Sequence, residues 1–173
     1  MLSTYAATLF VFSGLPGTGK STIAQMLSIQ VDGVYLRIDT IEQTLRDLCQ
    51  IDVEGEGYRL SYRIAQDNLK LGRNVVADSC NPIELTRSEW INVASEIGCR
   101  VINIELVCSD SKEHRQRVEK RNVGVANLVL PTWQQVEERE YHPWTRERIV
   151  VDTAGITSEE SFRLLLDQLN QTE

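Results

Sequence analysis

Gly14-Leu15-Pro16-Gly17-Thr18-Gly19-Lys20-Ser21 follows the apolar run Leu9-Phe10-Val11-Phe12 and leads into Thr22-Ile23-Ala24-Gln25-Met26-Leu27. The spacing G-x-x-x-x-G-K-[ST] between a strand and a helix is that of a phosphate-binding loop. Its small residues let successive N–H groups point at one place, and the start of a helix adds its positive end. The anion this pattern implies is a nucleoside triphosphate, held by Gly14, Pro16, Gly17, Thr18, Gly19, Lys20, Ser21 and Thr22. Lys20 reaches the β- and γ-phosphates as a point charge, and the Ser21 hydroxyl sits on a magnesium ion.

The 173 residues, 42% of them hydrophobic and none in a long structureless tract, make one globular domain over residues 1–173. A net charge of −7 argues against a protein coated by nucleic acid or lying on a membrane surface, although a local basic cluster can still work inside a cleft. The four cysteines (Cys49, Cys80, Cys99 and Cys108) form no C-x-x-C pair, and with only two histidines they argue against a zinc site. Free thiols in a reducing cytoplasm are the simpler account. There is no positively charged start followed by a long apolar run, and no apolar stretch of membrane-spanning length. The expectation is a soluble, cytoplasmic protein.

Strands are predicted over residues 5–13, 34–38, 74–78, 100–107 and 148–152, the first so apolar that both its faces should be buried. Helices are predicted to begin at the loop and over 40–49, about 58–71, 81–96, 111–121, about 131–141 and 158–170. The second carries Ile41, Leu45 and Leu48 at helical spacing, and the last carries Phe162, Leu165, Leu166 and Leu169. Residues 51–57 are acidic and glycine-bearing and read as a loop that, with 123–144, builds the variable part of the molecule. Strand and helix alternate from end to end, which indicates an α/β domain with a mainly parallel sheet.

In such a sheet, ligands gather at the carboxyl ends of the strands. Asp39 and Asp78 both fall there. Asp39 can accept the proton of an attacking hydroxyl; with Glu42 three residues on, it also reads as a capping box. Asp78 can hold magnesium through water, or serve as a turn residue before Asn81-Pro82. On the helix over 111–121, His114, Arg117 and Arg121 share a face, while Arg115 and Glu119 form a surface pair. Arg117 and Arg121 suit a lid over about 110–130 that closes on the triphosphate. Asp152-Thr153-Ala154-Gly155 resembles a GTPase switch, but it follows the last strand and no N-K-x-D guanine signature occurs, so ATP is the better nucleotide. Thr153 then belongs to the turn beside the base. Trp90, Trp133 and Trp144 read as packing residues, and Arg37, Arg46, Arg59 and Arg63 as acceptor-side or plain surface charge.

Taken in order, Gly14 to Thr22, Asp39, Asp78, Arg117 with Arg121, and Asp152-Thr153 resemble the small P-loop kinases that include chloramphenicol phosphotransferase, zeta toxin and the kinase domain of polynucleotide kinase. The resemblance spans nearly the whole chain. It implies an α/β P-loop NTPase fold with a five-stranded parallel sheet, helices on both faces and a small lid. It also implies ATP with Mg2+ and transfer of the γ-phosphoryl group to a hydroxyl. Lys20, Asp39, Arg117 and Arg121 would be the catalytic residues, Ser21 and Asp78 the metal-binding ones, and Arg117 and Thr153 further nucleotide contacts. One departure matters. Polynucleotide kinases and zeta toxins tend to carry arginine three residues after the strand-two aspartate, and here that residue is Glu42, which favours a neutral small molecule. The alternatives are a polynucleotide or nucleotide kinase and a non-catalytic ATP-binding regulatory module.

Overall fold

Along Thr8–Ser13 (β1), successive side chains point to opposite sides, Leu9 and Val11 to one and Phe10 and Phe12 to the other, and all four are buried. A strand buried on both faces belongs inside a parallel sheet covered by helices. In the computed structural model, which describes residues 7–122 and 124–171, β1 is the central strand of five. Val34–Arg37 (β2), Val75–Asp78 (β3), Arg100–Val107 (β4) and Ile149–Asp152 (β5) complete a sheet ordered β2-β3-β1-β4-β5, with every pairing parallel.

The helices are Lys20–Gln30 (α1), Ile38–Cys49 (α2), Glu56–Lys70 (α3), Glu84–Ile97 (α4), Ser111–Lys120 (α5), Trp133–Glu137 (α6) and Ser158–Gln171 (α7). α3 and α4 cover the Leu9/Val11 face through Ala65, Leu69, Trp90 and Val93. α1 and α7 cover the Phe10/Phe12 face through Ile23, Leu27 and Leu165. The five-stranded parallel sheet with helices on both faces is therefore as expected. Among the described residues, no helix is long and apolar enough to cross a membrane.

Several boundaries differ from the sequence expectation. The first strand begins at Thr8; residues 5 and 6 of the expected strand lie outside the described residues, as does residue 123 of the expected variable segment. α2 begins at Ile38, two residues early, because β2 turns directly into it with Arg37 as N-cap. Asn81 and Pro82 do not open α4. Asn81 is buried in a left-handed conformation (φ 47°), and the helix starts only at Glu84. α6 is a five-residue turn fixed by a Thr132/Gln135 capping box and does not reach Tyr141. Leu48, expected on a buried stripe, is 78% exposed near the end of α2.

The tryptophans are packing residues. Trp90 is fully buried and meets Tyr62 edge-on at 4.6 Å, while Trp133 meets His114 edge-on at 5.1 Å.

Truncating Leu165, which is fully buried between α7 and the sheet, to alanine should cost about 2–5 kcal/mol. Leu48→Ala should stay within about 0.5 kcal/mol of the parent, because its side chain already faces solvent. Urea unfolding of the two variants side by side checks the pair.

Candidate active site

Between β1 and α1 the chain uses its carbonyls for support and leaves amides open. Leu15 O accepts from Thr18 Oγ1 (2.9 Å), Pro16 O from His114 Nε2 (2.8 Å) and Thr18 O from Thr153 Oγ1 (3.0 Å). Since a carbonyl can only accept, the His114 ring carries its proton on Nε2 in this contact. Gly14 donates its amide to Cys80 O at 3.1 Å, tying the loop to the end of β3. The amides of Lys20, Ser21 and Thr22 have no acceptor among the described residues, and the N-cap, Gly19, offers no side chain to them. An uncapped helix start of this kind presents N–H groups and a positive dipole end to an anion.

Gly17 explains why the loop can lie so close to α5. Its φ is 89°, and a Cβ there would stand 2.6 Å from Val118 Cγ2 and 3.3 Å from His114 Cδ2. Lys20 is 91% buried and makes no ion pair with a described carboxylate. A buried charge without a protein partner calls for an external one.

The loop opens on a cavity of about 630 Å³ whose charged lining is Lys20, Arg37, Arg117, Lys120 and Arg121, against Asp39 alone. Gly17, Gly19, Ser21 and Thr22 of the loop also line it, as do Thr153, Ile156 and Thr157. A protein of net charge −7 thus gathers five cations at one place. A second cavity of about 590 Å³ adjoins the first, lined by Asp39, Glu42, Tyr58, Ser79, Glu89 and Arg139 among others. Asp39 is the one residue that lines both.

The family described as "AAA domain" matches residues 9–141, well over half of the chain. The chain belongs to this family. This AAA-domain protein has the P-loop NTPase fold expected from its motifs, and it shares that fold with solved structures over nearly its whole length. A gluconokinase from Sinorhizobium meliloti shares 17% identity over 97% of this chain and 94% of its own, with a TM-score of 0.69. The Mycobacterium tuberculosis APS kinase CysC, in complex with AMPPNP and APS, shares 15% over 96% and 99%, at 0.66. Chaetomium thermophilum Kti12, in complex with ADP-AlF3, shares 18% over 94% and 97%, at 0.68. At these identities the likeness concerns the fold. No curated protein sequence matches the chain.

Two expectations for the AAA-domain chain need correction. Asp39 lies in the first turn of α2, not before it, and the N-cap, Arg37, receives no side-chain bond, so the Asp39/Glu42 capping box does not form. The early start of α2 leaves Asp39 half-buried without a hydrogen bond or ion pair to another described residue. Arg121 is not on the helical face with His114 and Arg117. It is the C-cap of α5, in extended conformation, with its buried Nε lacking a partner. Burial holds its guanidinium below the usual arginine range; Arg139 adds to this, and Asp39 opposes it.

Arg117 is tied to the turn after β5 and to its own helix. α5 is capped by Asp110 and docked on the loop through His114 and Val118. Arg117 donates to Thr153 Oγ1 and O (both 2.7 Å) and pairs with Glu113 at 2.6 Å. It lines the cavity from α5.

Asp78 is buried at the end of β3. Its Oδ2 accepts from the Tyr35 hydroxyl at 2.6 Å and lies 3.9 Å from Arg37 Nε, while Oδ1 is buried without a partner. Burial, reinforced by the Asp78 charge, pushes the Tyr35 phenol well up, so it remains a donor. Of the other arginines, Arg46 contacts Glu42 at 3.5 Å, Arg59 lines the second cavity, and Arg63 lines neither.

Sequence reasoning also missed Arg87. It is fully buried and donates to the carbonyls of Asn81, Pro82, His142 and Pro143, with Trp144 stacked 4.0 Å from its guanidinium carbon. It fixes the segment around His142 against the end of β3.

Burial holds the Glu42 carboxyl above the usual carboxylate range, with Arg46 pulling the other way and Asp39 adding to the rise. The folded chain therefore binds this proton more tightly than the unfolded chain. The stabilisation is complete below the ordinary value of 4.5 and is lost as pH rises through the raised one. Glu42→Gln, which cannot ionise, should melt above the parent at pH 8, and the advantage should close below pH 4.5. Melting temperatures across that pH series check it.

Proposed function

We propose that this protein moves the γ-phosphoryl group of ATP to a hydroxyl of a small molecule seated in the second cavity. The observation that carries this reading is the unpaired Asp39 carboxylate on the wall shared by the cation-lined cavity and its neighbour. A base that must take a proton from an acceptor hydroxyl and face the γ-phosphate has to stand at such a boundary.

In this reading, the open amides of the loop and Lys20 hold the phosphates, and the turn from Thr153 to Thr157 flanks the base. The acceptor oxygen forms a bond to the γ-phosphorus as the bond from that phosphorus to the β,γ-bridging oxygen breaks. ADP leaves, and the hydroxyl proton passes to Asp39. Arg121 and Arg117 offset the charge that spreads over the transferred group, Arg117 through whatever reach its bonds to Thr153 leave it.

Mg2+ suits the residues present. Ser21 lines the cavity and Asp78 holds a buried oxygen that no protein donor satisfies, so these two would hold the ion, directly or through water. When bound, the ion neutralises phosphate charge. Four free cysteines are consistent with work in the cytoplasm.

The gluconokinase and APS kinase among the structural neighbours support a kinase reading. Kti12, seen in complex with ADP-AlF3, supports the rival of a nucleotide-binding regulatory module. The second cavity with Asp39 on its wall favours the kinase.

Asp39→Asn should lower ADP release with an acceptor by about 10²–10⁴-fold while leaving affinity for a non-hydrolysable ATP analogue within about threefold. Lys20→Ala should lose the analogue itself. Full transfer by Asp39→Asn, or no ADP release with any hydroxyl acceptor in a broad screen, would sink the proposal.

A further inference from the structure

We infer that the second cavity selects a small hydroxyl compound bearing an ammonium group, an amino alcohol or amino sugar, and that Glu42 and Glu89 are the carboxylates that select it. This rests on the reading of that cavity as the acceptor site, and it replaces the neutral acceptor expected from sequence.

The two adjoining cavities have opposite charge. Five cations and one carboxylate line the first, whereas Asp39, Glu42, Glu54 and Glu89 line the second against Arg59 and Arg139. Position sharpens the contrast. The Arg59 side chain is 76% exposed and leans toward Glu56 at 3.9 Å, and Arg139 is also exposed, while Asp39, Glu42 and Glu89 are half-buried in the walls. A phosphate or carboxylate on the substrate would meet three carboxylates inside. A neutral polyol would remove water from them and supply no counter-charge.

Glu42 is set in place by its neighbour. Its side chain lies against the start of α3 at Gly57, where a Cβ would run into Glu42 Cγ and stand 3.0 Å from Oε1. Glycine leaves the room this carboxylate occupies. Arg46, which does not line the cavity, touches only Oε2, at 3.5 Å. The raised Glu42 carboxyl is what a buried acid short of a counter-ion shows.

The rest of the wall fits the same ligand. The Tyr58 and Tyr62 rings, 6.2 Å apart and tilted by 53°, give an apolar side whose faces attract cations. Ser79, 98% buried, also lines the cavity, and the Tyr58 hydroxyl accepts from the Asn81 amide at 3.0 Å.

The test uses two matched triads: D-glucosamine, N-acetyl-D-glucosamine and D-gluconate; and ethanolamine, ethylene glycol and glycolate. Binding is measured by calorimetry on the full chain saturated with a non-hydrolysable ATP analogue, and ADP release with ATP is recorded in parallel. At least one amine should bind about tenfold or more tightly than its neutral and anionic partners. Glu42→Gln and Glu89→Gln should each cut that preference by about threefold or more, with melting behaviour confirming the fold and affinity for the ATP analogue unchanged.

Tightest binding by an acid, no preference within a triad, no binding by either amine, or a preference that survives both substitutions would overturn the inference. ADP release on gluconate without amine preference would overturn the inference and leave phosphoryl transfer standing. Selective amine binding without ADP release from any member would do the reverse.

Discussion

A loop that holds phosphate through backbone N–H groups must leave most of those groups free, so much of its support has to come through its carbonyls. Here that condition is met from three directions. Thr18 reaches back to Leu15 O, His114 comes from α5 to Pro16 O, and Thr153 comes from the end of β5 to Thr18 O. The contact at Gly17, where α5 approaches too closely for any side chain, belongs to the same support. β4 and β5, on one side of β1, serve this support: α5 after β4 brings His114 to the loop, and the turn after β5 brings Thr153.

The other side of β1 does different work. β2 and β3 end at Arg37 and Asp78, and the chain that continues from them carries Asp39, Ser79 and Cys80. The segments that follow the strands thus line a cation-rich cavity, suited to phosphates, and an acid-rich one, with Asp39 common to both. The separation lowers the cost of placing like charges close together. Each sign is concentrated where a ligand can neutralise it.

The sheet, the loop and the strand-end aspartates were legible because each is a local pattern. A doubly buried strand reads as continuous apolar sequence, and the phosphate loop has fixed spacing. Asp39 was found from its position, but its freedom from capping was not visible, since the pair Asp39 and Glu42 looks like a capping box until α2 is seen to begin at Ile38. Arg121 was placed on a helical face because nothing in the residues 117–121 marks the helix end at Lys120. The second cavity was the least legible part. Glu42, Tyr58, Ser79, Glu89 and Arg139 come from α2, α3, α4 and the chain after β3 and α6, and only tertiary packing brings them together.

Arg87 spends its donors on four backbone carbonyls, two from the chain after β3 and two from the stretch at His142 and Pro143. The His142 ring accepts from the Glu84 amide across the same junction, at 3.1 Å. Two irregular stretches, more than fifty residues apart in sequence, are therefore held as one cooperative unit. Fraying of either would expose an unpaired guanidinium to the core and would be resisted by both. The chain after β3 that borders the second cavity has little regular structure of its own, and it is held in large part by a buried cation that lines neither cavity.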